Sequence, residues 1–182
     1  MRELSLHLLD IVTNSIEAQA SRVIVCIEER AAQNELRIRI KDNGRGMSPE
    51  LIRRVLDPFV TTRTTRPVGM GLSLLHQAAR DCDGSLNIES VLGRGTMVEV
   101  RFAFNSLNRM PLGDIGETLA NLCIGAPDVH FVYIHTSVRG AFTFDSFWFY
   151  RRMAERECSM YQLAAEAVQH IQAGLKTIAA QA

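Results

Sequence analysis

The chain has 182 residues, 47% of them apolar, with 20 basic and 20 acidic side chains and a formal net charge of zero. That length and composition fit one substantial core, or one domain with an appendage, and exclude a disordered segment. The balanced charge supplies no one-sided field for nucleic acid or an anionic membrane, and no apolar stretch of about 18 residues is present to span one.

Leu4, Leu8, Ile11, Val12 and Ile16 recur at helical spacing and predict a helix over residues 4–20. Residues 22–29 and 35–41 read as strands; in the second, Leu36, Ile38 and Ile40 alternate with Arg37, Arg39 and Lys41. The Asn43-Gly44 turn ends that strand. Ser48-Pro49-Glu50 then starts a helix, with a capping hydroxyl, a proline in the first turn and an acid favoured by the dipole. A Thr/Arg-rich loop over 57–68 leads into a helix predicted over 70–82. Asp83-Gly84 turns the chain into a strand at 85–91, and Gly93-Arg94-Gly95 turns it again into a strand at 96–104.

These elements predict an α+β fold: an α/β sandwich in which one mixed, mostly antiparallel sheet carries helices on one face. The texture changes near Asn105-Ser106-Leu107-Asn108. The expected division is a first domain over 1–104 and a small α/β C-terminal appendage over 105–182. In the appendage Pro111 opens a helix at 112–124, strands follow at 129–136 and 141–146, and an Ala-rich helix covers 159–181. Most aromatic residues fall between 131 and 161, so this third either packs on the first domain or builds its own small core.

Cys26, Cys82, Cys123 and Cys158 are scattered, with no Cys-x-x-Cys pair. A reducing, cytoplasmic compartment is the expectation. Glu3 and Asp10 interrupt the N-terminus too early for a secretory signal. No Gly-Lys-Ser/Thr run is present, so the P-loop route to phosphate is closed.

Four segments carry chemistry. Asp10 and Asn14 are four apart on the first helix, so their side chains point the same way. An Asn oxygen is a hard ligand suited to Mg²⁺, and a carboxylate one turn earlier can act on a nucleophile attacking a γ-phosphate. The same pair also fits a plain polar stripe. Asp42 ends a strand of buried character and needs a donor partner, for which an adenine amine is one candidate and an ordinary Asn-Gly hairpin the other reading. Gly44 and Gly46 let the backbone approach a planar base. In the loop before Gly69-Met70-Gly71-Leu72, Thr61, Thr62 and Arg63 can reach phosphates, and the following helix offers its N–H groups. Thr96, after Gly93 and Gly95, can make a water-linked contact beside Asp42.

The order and spacing of these segments resemble the N box and the successive glycine boxes of the GHKL ATPases, the superfamily of gyrase B, Hsp90, histidine kinases and MutL. Asn14-Ser15-Ile16-Glu17-Ala18 is similar to the N box. Asp42-Asn43-Gly44-Arg45-Gly46-Met47 fits "D-x-G-x-G". Pro58-Phe59-Val60-Thr61-Thr62-Arg63 resembles the kinase F box and short lid, and Gly69-Met70-Gly71-Leu72-Ser73-Leu74 fits the "G-x-G-L-x-L" form. The resemblance covers about residues 3–104. It implies ATP and Mg²⁺ as ligands, Asn14 as the metal ligand and Asp42 on the adenine amine. Gly44, Gly46, Met47, Gly69, Met70, Gly71 and Leu72 would shape the pocket, Thr61, Thr62 and Arg63 would serve the phosphates, and Thr96 would support the adenine contact. Asp10 stands where the superfamily usually has a catalytic Glu, and Ser73 replaces a Gly found in many kinases.

A histidine kinase also carries an upstream hairpin with a His-Glu-x-x-Pro box. His7 is followed by Leu8-Leu9-Asp10 and reads as an ordinary residue of the N-box helix, so a self-sufficient autokinase is not expected. Free-standing relatives include anti-sigma serine kinases and ATP-binding proteins found beside hydrogenase subunits, and the whole chain looks most like the latter. The expected function is a kinase acting in trans on a His, Ser or Thr of a partner protein. The alternative is a nucleotide-gated binding module whose lid, at 60–72, closes on ATP. A dimerising ATPase like MutL is a third, for which the lid is short. A possible homodimer is part of the expectation; nucleic acid and membrane partners are not.

His130 and His135, five apart on a strand, face opposite ways and with Cys123 make a poor metal site. Phe147-Trp148-Phe149-Tyr150-Arg151-Arg152 reads as local core or as an anchor for a partner.

Overall fold

A computed structural model describes residues 3–56, 70–155 and 159–181. The chain begins with helix α1 (Leu4–Glu17), followed by strands β1 (Arg22–Arg30) and β2 (Glu35–Asp42). The short helix α2 (Pro49–Arg54) is capped by Ser48, whose Oγ accepts from Leu51 N. Helix α3 (Met70–Arg80) leads to β3 (Ser85–Val91) and β4 (Gly95–Ala103). The C-terminal third adds α4 (Ile115–Gly125), β5 (His130–Ser137), β6 (Gly140–Asp145), α5 (Ser146–Glu155) and α6 (Met160–Thr177).

All six strands form one sheet, in the order β3-β4-β2-β1-β5-β6. Every pairing is antiparallel except β1 with β5, which run parallel with Arg22 opposite His130. The α+β sandwich expected from the sequence is therefore present. Burial follows a period of two, as a sheet with one covered face requires. Val23, Val25 and Ile27 of β1, Leu36, Ile38 and Ile40 of β2, and Val98, Val100 and Phe102 of β4 are buried, and their neighbours are not. The residues between them carry ion pairs, among them Arg37 to Glu35 at 3.0 Å and Arg101 to Glu99 at 2.6 Å. Such half-buried pairs on the other face of the sheet contribute modest stability.

The covered face is continuous across the chain. Phe131 and Tyr133 of β5 and Leu163, Ala167 and Ile171 of α6 belong to the same apolar cluster as Leu8 and Ile11 of α1. β5 and β6 extend the sheet built by residues 22–103, so the seam near 105 is a turn in the chain and not a gap in the core.

Four helices differ in their bounds from the sequence reading, among them α3, which ends at Arg80 and not at 82. Helix α4 starts at Ile115, not at 112, because Asp114 takes the cap by accepting from Glu117 N at 2.8 Å. Pro111 and Leu112 are spent on α1 instead, their carbonyls accepting from Leu4 N and Ser5 N. Helix α1 stops at Glu17, where Gln19 turns with φ of 60°. Helix α6 stops at Thr177, after which Gln181 N donates to Glu29 Oε1 at 2.7 Å.

The aromatic run proves to be helical. Phe149 of α5 is buried, Tyr150 donates its hydroxyl to the Cys123 carbonyl, and Phe147 stacks on His130 with ring centroids 3.9 Å apart. The side chains of Trp148 and Arg152 lie outside the described residues. His130 is paired with Asp145 at 2.9 Å, while His135 is buried between the Tyr133 hydroxyl at 2.6 Å and Glu29 at 2.8 Å. Both histidines thus have structural partners on opposite faces of β5. Cys123 is buried in α4, which pushes its thiol up to about 12 and leaves it an apolar packing group.

Candidate nucleotide site

The site lies at the end of the sheet where β2 stops, beneath α1 and beside the start of α3. Its centre is Asp42, the last residue of β2, 8% exposed and on the helix-covered face. A carboxylate this deep must be matched by donors. Ser15 Oγ donates to its Oδ2 at 3.0 Å, while Gly44 N and Thr96 N donate to Oδ1 at 2.8 and 3.2 Å. These donors come from α1, the following turn and β4. In each contact a carboxylate oxygen is the acceptor.

The turn after Asp42 is packed closely against its neighbours. A Cβ on Gly44 would lie 2.7 Å from the Ala18 carbonyl oxygen, and one on Gly46 would lie 2.1 Å from that of Val91. Met47 N donates to Ser90 Oγ at 2.8 Å, and Gly93 N donates to the Arg45 carbonyl at 2.7 Å. The two glycine turns are therefore stitched together through β3.

Asp10 and Asn14 occupy one flank of α1, as their spacing predicts. Both are half-buried. Asp10 faces the first turn of α3: a Cβ on Gly71 would lie 1.5 Å from Asp10 Oδ2 and 2.7 Å from its Cγ. Only glycine lets the carboxylate sit against that backbone. Leu72 turns inward and packs on the core, while Met70 supplies the first residue of α3. His7 is 3% exposed, on the buried side of α1.

Thr96 sits beside Asp42, but through its backbone. Its Oγ1 is 2.8 Å from Ser90 Oγ. Thr61, Thr62, Arg63 and Gly69, with the rest of the loop at 57–69, lie outside the described residues, as does the side chain of Met70. Two residues that sequence reasoning gave no role are part of this arrangement. Ser15 follows Asn14 in the N box and fastens Asp42 to α1. Ser90 carries no motif, and nothing in its spacing marks it; only the cross-strand pairing with Thr96 brings it in.

A magnesium ion needs few protein ligands, because it keeps waters and takes phosphate oxygens. Among the described residues no group of three or more His, Cys, Asp or Glu side chains comes together. Asn14, half-buried on α1, is the side chain that could supply such an ion with one oxygen. No described helix is long and apolar enough to cross a membrane.

Comparison with known proteins identifies the family and the fold. A family model described as "Histidine kinase-, DNA gyrase B-, and HSP90-like ATPase" matches residues 2–106. Sporulation kinase C of Bacillus subtilis (strain 168) is 32% identical over 92 residues, which are 50% of this chain and 21% of that kinase. The chain thus matches only about a fifth of that relative's length. The N-terminal domain of a DNA repair protein superposes with a TM-score of 0.62 at 16% identity, covering 92% of this chain and 57% of that one. The MutL ATPase domain of Aquifex aeolicus, solved in complex with ADP, superposes with a TM-score of 0.52 at 20% identity, covering 93% of this chain and 70% of that one. At these identities the structural likeness describes the fold, and it reaches into the C-terminal third.

Proposed function

This chain belongs to the histidine kinase-, DNA gyrase B- and HSP90-like ATPases, and from that premise we propose that it is a Mg·ATP-dependent protein kinase acting in trans. The acceptor is a His, Ser or Thr of a partner protein. The supporting observation is that α1 carries both contacts: Asp10 lies against Gly71 of α3, and Ser15, five residues on, donates to Asp42, which also accepts from Thr96 N.

Each residue has a role that its surroundings suit. Asp42, already fixed as an acceptor, takes a hydrogen from the adenine amine. Gly44 and Gly46 wall the base. Asn14 holds the magnesium ion, which neutralises charge on the phosphates when bound. The opening N–H groups of α3 meet the phosphate oxygens. Asp10 accepts the proton of the attacking hydroxyl or imidazole as its bond to the γ-phosphorus forms and the bond to the β,γ-bridging oxygen breaks, releasing ADP. Thr61, Thr62 and Arg63, which lie outside the described residues, would serve the phosphates.

A second reading is a nucleotide-gated module that binds a protein partner with little hydrolysis. The Asp10–Gly71 contact favours it, because any movement of α3 on nucleotide binding also moves the carboxylate. Hydrogenase subunits and a second copy of this chain are the partners the sequence resemblance suggests. Asp10→Asn separates the two readings. A kinase should keep its ADP affinity within about twofold and lose roughly 100-fold or more of its γ-phosphoryl transfer. Transfer undiminished in the variant rules out the base, and no transfer by the wild-type protein with any candidate acceptor favours the module.

A further inference from the structure

Ser90 has one hydrogen to give and two lone pairs to offer. Three polar atoms lie around its Oγ: Met47 N at 2.8 Å, the Gly95 carbonyl at 2.9 Å and Thr96 Oγ1 at 2.8 Å. Met47 N can only donate, so it takes one lone pair. The Gly95 carbonyl can only accept, so it takes the hydrogen. The remaining partner, Thr96, must then be the donor to the second lone pair. This assignment satisfies all three contacts; turning the Ser90 hydrogen toward Thr96 would give up the bond to Gly95.

The consequence falls on Thr96. Its hydroxyl hydrogen is committed to Ser90, and its backbone N–H is committed to Asp42 Oδ1 at 3.2 Å. What Thr96 can show a ligand is a lone pair. Asp42, with its own donors already supplied by Ser15, Gly44 and Thr96, likewise shows only lone pairs. Two neighbouring groups of one sign form a wall that accepts and cannot donate. A free threonine hydroxyl in the same place could rotate and serve either kind of base edge.

We propose that Ser90 is a specificity-determining positioning residue: by fixing the Thr96 hydroxyl as an acceptor it makes the base end of the site select purines with an exocyclic amine at position 6 over those with a 6-oxo group. The proposal rests on the nucleotide reading of the site and adds to it. Ser90 itself does not touch the base. It acts through Thr96, and it ties the edge strand β3 to the turn after Asp42, so that the acceptor wall and the pocket floor are set together.

The test is calorimetric titration of the wild-type chain and the Ser90→Ala, Ser90→Thr and Thr96→Val variants with ADP, GDP and IDP in the presence of Mg²⁺. The wild-type protein should prefer ADP over IDP by about 100-fold, as expected when a mismatched base leaves buried polar groups unpaired. In Ser90→Ala the ratio should fall to about 10-fold or less, and Ser90→Thr should restore most of it. Thr96→Val alone should also lower the ratio, and adding Ser90→Ala to it should change the ratio no further, because the serine works through the threonine. An unchanged ADP-to-IDP ratio in Ser90→Ala, with all affinities scaled down together, overturns the proposal and leaves Ser90 a structural tie. A further loss of ratio in the double variant overturns it as well. A wild-type protein that binds ADP and IDP equally, or binds neither, removes the adenine reading and the proposal together, and does so before any variant is compared.

Discussion

Asp42→Asn should weaken ADP binding by about 100-fold, or about 2.7 kcal/mol, and abolish the preference for adenine over guanine. The amide can keep its oxygen toward Gly44 N and Thr96 N, which bond Oδ1 at 2.8 and 3.2 Å. Its NH₂ then replaces Oδ2, the oxygen to which Ser15 donates at 3.0 Å. Ser15 can adjust, since its hydroxyl also lies 3.3 Å from the Ile11 carbonyl and can turn to it. The fold should therefore survive. The nucleotide cannot adjust: a donor now faces the donor amine of adenine, whereas the 6-oxo group of guanine is complementary to it. Titration of the variant with ADP and GDP decides the matter. Retained adenine preference would place the base elsewhere.

Gly95→Ala should have the largest effect on stability. Gly95 opens β4 with φ of 107°, in the left-handed region that side chains avoid. A Cβ there would lie 2.1 Å from the Asp42 carbonyl oxygen and 2.8 Å from Asn43 Cα, both backbone atoms of the neighbouring turn. Neither can swing aside as a flexible side chain would, so β2 and β4 must part where Asp42 and Thr96 meet. The expected cost is more than about 3 kcal/mol, which for a chain of this size lowers the melting midpoint by about 6–12 °C. Gly93→Ala is the control. It too has positive φ, at 76°, but nothing lies within 4 Å of the added carbon, so about 1 kcal/mol is expected from the backbone alone. Equal melting midpoints for the two variants would contradict the close approach.

Much of this arrangement was legible in the chain because it rests on local periodicity. Leu36, Ile38 and Ile40 alternate and become the buried side of β2; Leu4, Leu8 and Ile11 recur at helical spacing and become the buried side of α1. The pairing of Asp10 with Asn14 follows from the helix geometry alone. Other features had no local signal. Phe147-Trp148-Phe149-Tyr150 is rich in residues that favour strands, and its turn into α5 is set by packing Phe149 against β5 and α6. Pro111 resembled a helix start, yet Asp114 offered the better cap. The parallel joining of β1 to β5 brings Arg22 beside His130, and no repeat in the sequence marks a contact so far apart. Ser15 and Ser90 were missed for the same reason, since a hydroxyl acquires a role only from the atoms brought to it. Ser90 reaches Met47 and Thr96 only once β3 lies against β4.

The central claim is a magnesium–adenine nucleotide site built from α1, β2, α3 and β4. Its most direct test is calorimetric titration of the wild-type chain and of Asn14→Ala with ADP and a non-hydrolysable ATP analogue, with and without Mg²⁺. The account predicts micromolar binding that strengthens with magnesium in the wild-type protein, and loss of the magnesium-dependent part, by at least about tenfold, in the variant. A folded wild-type chain that binds neither nucleotide, or an Asn14→Ala variant with the same magnesium dependence as wild type, would contradict it.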